Sequence, residues 1–472
     1  MNIENVINIL NKLQITGISD DTRYLEPNDA FVCRKGKYYQ GSDFVIEAIL
    51  KGAKAIITEK QIEAVTVPVI LCDNIEKNFE KLLNGIYGKS WQNVKLIGIT
   101  GTDGKTTTAT IIKFLIGLSF SCGYIGTNGI RYNGIKTVTQ YTTPPLCLLI
   151  KTLTKMANAD IPYCAMEVSS EGIINNRLET IRFHSAVFTN LSHEHLNTHI
   201  TMENYFQAKA KLFNKLYSDG LAIINNDSPY GHRIKHSRLT TFGIENISDW
   251  QALKINIKST GMTFDLKTPN GIIKNIKTNM MGKYNIYNIM AAIIAATDNC
   301  IPLPKILRNL KNIPEIPGRM ELITGNENFK VYVDFAHTPN ALKEVLFSLK
   351  RPNNRLIAIL GSAGGKDKTK RPEMGKIACD IADYVVFTSE DPRNENPEDI
   401  IQDMTSTTDK KNYEIILNRK TAIKKVILQA QAKDVIIITG KGNDRYFEQN
   451  NNIYSYSDIT EATKALQARK NK

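Results

Sequence analysis

The run Val94-Lys-Leu-Ile-Gly-Ile-Thr100 passes at once into Gly101-Thr-Asp-Gly104-Lys105-Thr106-Thr107, and a helix is predicted from Thr106 to Gly117. A buried strand feeding a glycine-rich turn and a helix N-terminus confines the chain to a small group of α/β folds. Glycines let backbone N–H groups converge on phosphate oxygens, and the helix dipole favours an anion there. Lys105 can reach the outer phosphates of a nucleotide, and the Thr106 hydroxyl suits Mg²⁺. The spacing departs from the standard Walker pattern, because glycine stands at 98 or 101 and not at 99. The competing reading is a glycine-rich turn without a ligand.

Around this motif the pattern divides into three blocks, residues 1–93, 94–316 and 317–472. The first reads as a small α/β unit, with strands at Ala30–Cys33, Ala55–Thr58 and Val67–Leu71 and a helix from Phe44 to Lys51. The second adds strands at Tyr163–Val168 and Ser185–Thr189 and helices over Met202–Leu216 and Asn285–Thr297. The third, opened by Ile316-Pro-Gly-Arg319, carries strands at Val331–Phe335, Leu356–Leu360, Tyr384–Thr388 and Val435–Thr439. Strands alternating with helices predict parallel sheets covered on both faces. The segment after Glu448 reads as a polar tail.

Composition narrows the function classes. Sixty basic residues against forty-seven acidic ones give +13. The lysines are scattered, which fits a general lysine bias or an attraction for anions. Aromatic RNA-binding strands and Cys/His fingers are missing, so small phosphorylated anions are favoured over nucleic acid. Seven cysteines without a Cys-x-x-Cys pair make neither a disulfide scaffold nor a zinc ribbon. No run approaches a membrane span, and the N-terminus reads as a helix, not a secretory signal. A reducing cytoplasm is the expected compartment.

Ala165-Met-Glu167-Val-Ser169-Ser170 places a carboxylate at the C-terminal end of a strand, the edge where open α/β sheets bind ligands. Glu167 is therefore a candidate Mg²⁺ ligand, against a solvated loop glutamate. In His193-Glu-His195-Leu-Asn-Thr-His199 the second histidine comes too early for the His-Glu-x-x-His zinc order. Zinc, a magnesium-linked histidine and plain surface histidines stay open.

Together these stretches resemble the Mur ligase family of ATP-dependent amide-bond synthetases over essentially the whole chain. The motifs are Thr100-Gly-Thr-Asp-Gly-Lys-Thr-Thr, Met166-Glu-Val-Ser-Ser, Asn190-Leu-Ser-His-Glu-His-Leu, Tyr205-Phe-Gln-Ala-Lys-Ala-Lys-Leu-Phe, Gly282-Lys-Tyr-Asn-Ile-Tyr-Asn, Pro317-Gly-Arg-Met-Glu, Asp334-Phe-Ala-His-Thr-Pro and Gly440-Lys-Gly. Thr142-Thr143-Pro144, Lys370-Arg-Pro and Asp391-Pro-Arg393 look like the members that add the third residue of the peptidoglycan stem.

The resemblance implies a three-domain fold: a UDP-sugar-binding N-terminal domain (1–93), a central P-loop ATPase-like domain (94–316) and a C-terminal Rossmann-like domain (317–472). It implies that ATP phosphorylates the D-glutamyl carboxylate of UDP-N-acetylmuramoyl-L-alanyl-D-glutamate and that the amine of a diamino acid attacks the acyl phosphate. Gly101, Thr102, Asp103, Gly104, Lys105, Thr106, Thr107, Asn285, Asn288, Arg319 and Asp334 would then serve ATP. Thr106, Glu167, His195 and Lys209 would serve Mg²⁺, with Lys209 carrying CO₂ as a carbamate. Thr22, Arg23, Thr142, Thr143, Ser169, Asn175 and Arg177 would hold the sugar nucleotide and its dipeptide. Lys366, Glu390, Asp391, Arg393, Gly440 and Asp444 would hold the amino acid.

Departures from the family pattern cluster around amino-acid choice. Glu390-Asp391-Pro-Arg393 replaces Asp-Asn-Pro-Arg, Lys366 replaces an arginine, and Gly440-Lys-Gly-Asn-Asp444 replaces Gly-Lys-Gly-His-Glu. Glu171, Asn175 and Asn197 replace His, Gln and Asp. Arg393 keeps a fork-shaped donor suited to a distal carboxylate, so meso-2,6-diaminopimelate is expected over L-lysine. A folylpolyglutamate-type ligase and a nucleic-acid-bound P-loop ATPase are the more distant alternatives. A monomer is expected.

Overall fold

The computed structural model describes residues 1–36, 39–63, 65–258, 260–325 and 327–470. The chain forms two compact units. One comprises Met1–Gly98, Ser119–His184 and Lys215–Tyr217, the other Ile99–Leu118, Ser185–Asn214 and Ser218–Lys472.

The first unit opens with helix Ile3–Lys12, capped by the Asn2 side chain and buried through Ile3, Val6 and Leu10. Strands Gly17–Ser19, Asp29–Val32, Ala55–Thr58 and Val69–Leu71 then pair in that order as a parallel sheet. Phe31, Val45, Ala48, Ala53 and Ile56 fill the space beneath it. A second group of strands sets Tyr163–Glu167 parallel to Cys122–Gly126, with Gly129–Tyr132 and Ile135–Thr137 added antiparallel. All five residues of Tyr163–Glu167 are buried, so its glutamate emerges from a covered strand.

In the second unit the phosphate-loop helix runs Lys105–Ile116 and packs on helix Tyr284–Asp298. Leu216–Asn225, Leu239–Gly243 and Trp250–Lys258 are parallel neighbours. Gly261–Thr268 and Gly271–Thr278 extend them as antiparallel strands. That extension corrects the expectation of purely parallel sheets. Its signal was present: Trp250–Lys258 alternates inward and outward residues, and Asn270-Gly271 marks a hairpin turn.

The C-terminal sheet has the order Glu321–Leu322, Lys330–Asp334, Val435–Thr439, Leu356–Leu360, Tyr384–Phe387, Tyr413–Ile415, with only the first strand antiparallel. Successive side chains point to opposite faces. Leu356, Ala358 and Leu360 pack under helices Pro339–Leu349 and Arg371–Ile381, whereas Ile357 and Ile359 join Ala422, Ile423 and Leu466 on the other side. Both faces are covered, which is why these strands read as continuous apolar runs.

Two further expectations are corrected. The predicted helix Met202–Leu216 stops at Ala210, and Leu216 already begins a strand. Buried Leu212 and Phe213 keep the apolar spacing going past the helix end. The segment after Glu448 is ordered: strands Tyr446–Gln449 and Asn452–Ser455 form a hairpin, and Asp458–Lys470 is a helix. That helix docks through Asp458, Ala462, Ala465 and Leu466, a seam with little apolar mass to signal it.

Candidate active site

The phosphate loop is shaped by what its glycines exclude. A side chain at Gly101 would meet Thr189 Oγ1 at 1.8 Å, and one at Gly104 would meet Asn288 Oδ1 at 2.4 Å. Gly104 also has φ +83°, the left-handed region that glycine enters without strain. Lys105 Nζ donates to the carbonyls of Gly101 (2.9 Å) and Thr102 (2.7 Å), folding its charge back over the loop. Arg319 Nη2 donates to Thr106 Oγ1 at 3.1 Å, and its guanidinium lies 4.4 Å from the Phe335 ring centre. Asn288 accepts from Thr108 Oγ1 and donates to Asn285 Oδ1, so the two asparagines form one chain on the helix beside the loop. Thr102 and Thr107 are buried in the same turn.

Lys209 is 1% exposed and donates to the Gly101 carbonyl at 2.8 Å. Burial, reinforced by the nearby Lys105 charge, pushes its ammonium well below the usual lysine range. His195 has φ +60°, and its buried Nδ1 has no hydrogen-bond partner among the described residues. Burial first, then the charges of Lys209, Lys105 and Lys366, drive the imidazole down to about 2. An imidazole held neutral offers a lone pair to a cation. Among the described residues no cluster of three His, Cys, Asp or Glu forms a metal site, which leaves the zinc reading without support. His193 instead pairs with Asp367 (3.1 Å) and Thr369 (2.9 Å).

Asp103, expected among the ATP groups, lies in the same loop, whereas the pairing of Glu194 with Lys370 went unmarked in the sequence. Asp103 is half-buried, and desolvation raises its carboxyl. Lys370 Nζ holds both oxygens of Glu194 (3.1 and 2.9 Å) and the His337 carbonyl (2.8 Å). Glu194 sat inside the His-Glu-His stretch and Lys370 inside Lys-Arg-Pro, yet nothing in either motif paired them. Asp334 accepts from the backbone N–H groups of Met320 (2.7 Å) and Ala336 (2.8 Å), tying the strand end to the Pro317-Gly-Arg319 turn.

In the C-terminal sheet the Glu390–Arg393 corner is dense in charge. Asp391 and Arg393 both adopt positive φ, a strain that recurs at ligand sites. Lys441, 1% exposed, donates to Asp391 Oδ2 at 2.6 Å. Arg393 Nε donates to Glu448 Oε2 at 2.9 Å, and Nη1 donates to the Gly364 carbonyl. A side chain at Gly440 would lie 1.8 Å from Glu390 Oε2, so Glu390 fills the space that only glycine leaves open. Burial raises Glu390 to about 7 and Asp444 to about 6. Lys366 is half-buried on the loop after Leu356–Leu360. Glu448 and Lys441 were not foreseen as members of this corner.

The first unit gathers a different set. Glu167 is fully buried and accepts from the Tyr124 hydroxyl, Thr127 N (3.0 Å) and Thr127 Oγ1 (3.2 Å). Thr142 meets Thr127 at 3.1 Å. Thr143 Oγ1 accepts from Ser169 N and Oγ, and its carbonyl accepts from Arg177 Nη1 at 2.8 Å. Arg177 and Arg23 both approach the Tyr141 ring, at 4.4 and 5.4 Å. Two expected members stand apart: Thr22 donates to Glu47 at 2.8 Å, and Asn175 is exposed at the end of helix Ser170–Ile174.

Comparison with known proteins gives the same outline. Residues 14–87 match the Mur ligase family catalytic domain, 99–296 the Mur ligase middle domain and 318–442 the Mur ligase glutamate ligase domain. The UDP-N-acetylmuramoyl-L-alanyl-D-glutamate--2,6-diaminopimelate ligase of Clostridium perfringens is 38% identical over 446 residues, 92% of this chain and 91% of that protein. A solved structure with the same enzyme name is 30% identical, covers 97% of this chain and 95% of its own, and superposes with TM-score 0.63. The MurF ligase of Thermotoga maritima in complex with ADP shares the fold, with 18% identity, TM-score 0.71 and coverage of 97% and 98%.

Proposed function

The chain belongs to the Mur ligase family and has its three-domain α/β fold; from that premise we propose that it is the tripeptide-forming member, UDP-N-acetylmuramoyl-tripeptide synthetase. ATP phosphorylates the D-glutamyl carboxylate of UDP-N-acetylmuramoyl-L-alanyl-D-glutamate, and an amine of meso-2,6-diaminopimelate displaces phosphate to leave an amide. The family segments 14–87, 99–296 and 318–442 support domain bounds at 1–93, 94–316 and 317–472. No described helix is long and apolar enough to cross a membrane.

The carrying observation is the convergence of Lys105, Lys209 and Arg319 on Gly101 and Thr106 of one loop. Phosphoryl transfer between two anions needs fixed positive charge more than covalent help. Lys105 and Arg319 supply that charge, while Asn285 and Asn288 fix the helix beside it. Mg²⁺ and ATP are general requirements of the family. Thr106, His195 and Lys209 are the second unit's groups for Mg²⁺, and we assign the same role to Glu167 in the first. The unpartnered, neutral His195 nitrogen fits a cation, and a neutral buried Lys209 amine is the form that takes up CO₂; as a carbamate it becomes an anion. Bound Mg²⁺ would neutralise the β- and γ-phosphates.

For the substrate carboxylates we assign Arg23 and Arg177, spaced by Tyr141, with Thr143 and Ser169 around the dipeptide. Arg393 reads the acceptor's distal carboxylate, which L-lysine lacks, and the relatives' names point the same way. Asp391 is bound to Lys441 at 2.6 Å whereas Asp444 stands 3.9 Å from that lysine, so ammonium recognition falls to Glu390 and Asp444. The test is ADP release by the purified chain: it should require the sugar-nucleotide dipeptide and a diamino acid together, and neither DNA nor RNA should substitute.

A further inference from the structure

Glu390 lies over the C-terminal ends of three adjacent parallel strands of the C-terminal sheet. It follows Tyr384–Phe387, its Cβ is 2.8 Å from where a Gly361 side chain would start, and its carboxylate occupies the place of a Gly440 side chain. That edge is where open α/β sheets take ligands. The residue is only 6% exposed, and Oε2 has no hydrogen-bond partner among the described residues. The charged groups that face it are Arg419, Lys441, Lys370 and Asp391. Each cation has an acid partner of its own, Arg419 with Asp458 (2.7 Å), Lys441 with Asp391 (2.6 Å) and Lys370 with Glu194 (2.9 Å), and Arg419 Nη1 is left without a hydrogen bond among the described residues. A buried carboxylate oxygen without a partner is costly, and no described group hydrogen-bonds this one. An incoming ammonium would.

We propose that Glu390 is the general base of the ligation, taking a proton from the acceptor's attacking ammonium group. This deepens the tripeptide-ligase reading and rests on it. One N–H bond of the ammonium breaks and its proton passes to Glu390 Oε2. The freed lone pair forms the C–N bond to the acyl carbon, the C–O bond to phosphate breaks, and inorganic phosphate leaves with that electron pair. The second amine proton goes to the departing phosphate, and Glu390 returns its own to solvent. Desolvation of the carboxyl suits the task, because a base raised to about 7 accepts a proton near neutral pH.

The experiment exploits an acceptor that needs no base. Hydroxylamine is uncharged at neutral pH and traps the acyl phosphate as a hydroxamate. Wild-type enzyme with ATP and the sugar-nucleotide dipeptide should form hydroxamate; failure there removes the acyl-phosphate reading and this assignment with it. In Glu390→Gln the ratio of diaminopimelate-dependent to hydroxylamine-dependent turnover should fall on the order of 10²-fold, and the acidic limb of the kcat profile should disappear. The ratio does not depend on how much of the variant is folded. An unchanged ratio overturns the proposal. If Glu390→Gln yields no active protein, Glu390→Asp is read the same way: its shorter carboxylate should lower the ratio by about tenfold, and an unchanged ratio is again contrary.

Discussion

The phosphate loop and the Glu390–Arg393 corner belong to the same unit and are held by different kinds of contact. Lys105 and Lys209 answer to backbone carbonyls, and the glycines at 101 and 104 are enforced by close approach. In the corner, side chains also answer to side chains: Lys441 to Asp391, and Arg393 to Glu448 as well as to the Gly364 carbonyl. Backbone anchoring tolerates few substitutions, because a carbonyl cannot be mutated away. Side-chain pairs can change together. Asp391 in place of the family's asparagine brings a negative charge, and buried Lys441 neutralises it. On the proposed reading the first site serves phosphoryl transfer and the second serves the acceptor amine, its recognition and its deprotonation.

Substitutions at the loop should therefore cost most. Lys105→Ala removes the fixed cation over the outer phosphates, and ADP release should drop by at least about 10³-fold at saturating ATP. Near-normal turnover would dissolve the loop assignment. Lys209→Ala comes next: ligation should fall on the order of 10²-fold or more, with partial recovery when short-chain carboxylates replace the missing anion. An active alanine variant would return Lys209 to a structural role.

In the corner the effects should be smaller and confined to the acceptor. Arg393 is half-buried and keeps Glu448 as a partner without substrate, so the gain from a substrate carboxylate is one charge-assisted contact, about 1–3 kcal/mol or roughly a 5- to 150-fold preference. Arg393→Ala should lose that much kcat/KM for diaminopimelate, leave L-lysine use unchanged and keep the KM for ATP. An equal loss for both acceptors would mean that Arg393 only braces the loop against Glu448.

The smallest effect is one of stability. Burial raises Glu390 above its unfolded value, to about 7. Between the ordinary carboxylate range and that value the folded state holds the extra proton, so stability from this group is present at low pH and is lost as pH rises through about 7. Glu390→Gln should gain on wild type in Tm between pH 5 and pH 8, by about 1–3 kcal/mol in stability. A difference that does not change with pH would contradict burial of the charge.

The same contrast explains what was legible beforehand. Strand Lys95–Thr100, the glycine loop and helix Lys105–Ile116 are local in sequence, so periodicity and spacing revealed them. Thr143, Ser169 and Arg177 were legible through the family resemblance, and they meet in the first unit. The Glu194–Lys370 pair joins residues 176 positions apart, and Arg393–Glu448 joins residues 55 apart. No local pattern encodes such pairings. The helix Asp458–Lys470 was missed because its contact seam is built on alanine.

The most direct measurement compares kcat/KM for meso-2,6-diaminopimelate and L-lysine in the wild-type enzyme, with ATP and UDP-N-acetylmuramoyl-L-alanyl-D-glutamate saturating. Diaminopimelate should be preferred by at least about fivefold, the lower bound set by the Arg393–carboxylate contact that L-lysine cannot make. Preference for L-lysine would contradict the acceptor assignment, and no turnover with either amino acid would contradict the ligase itself.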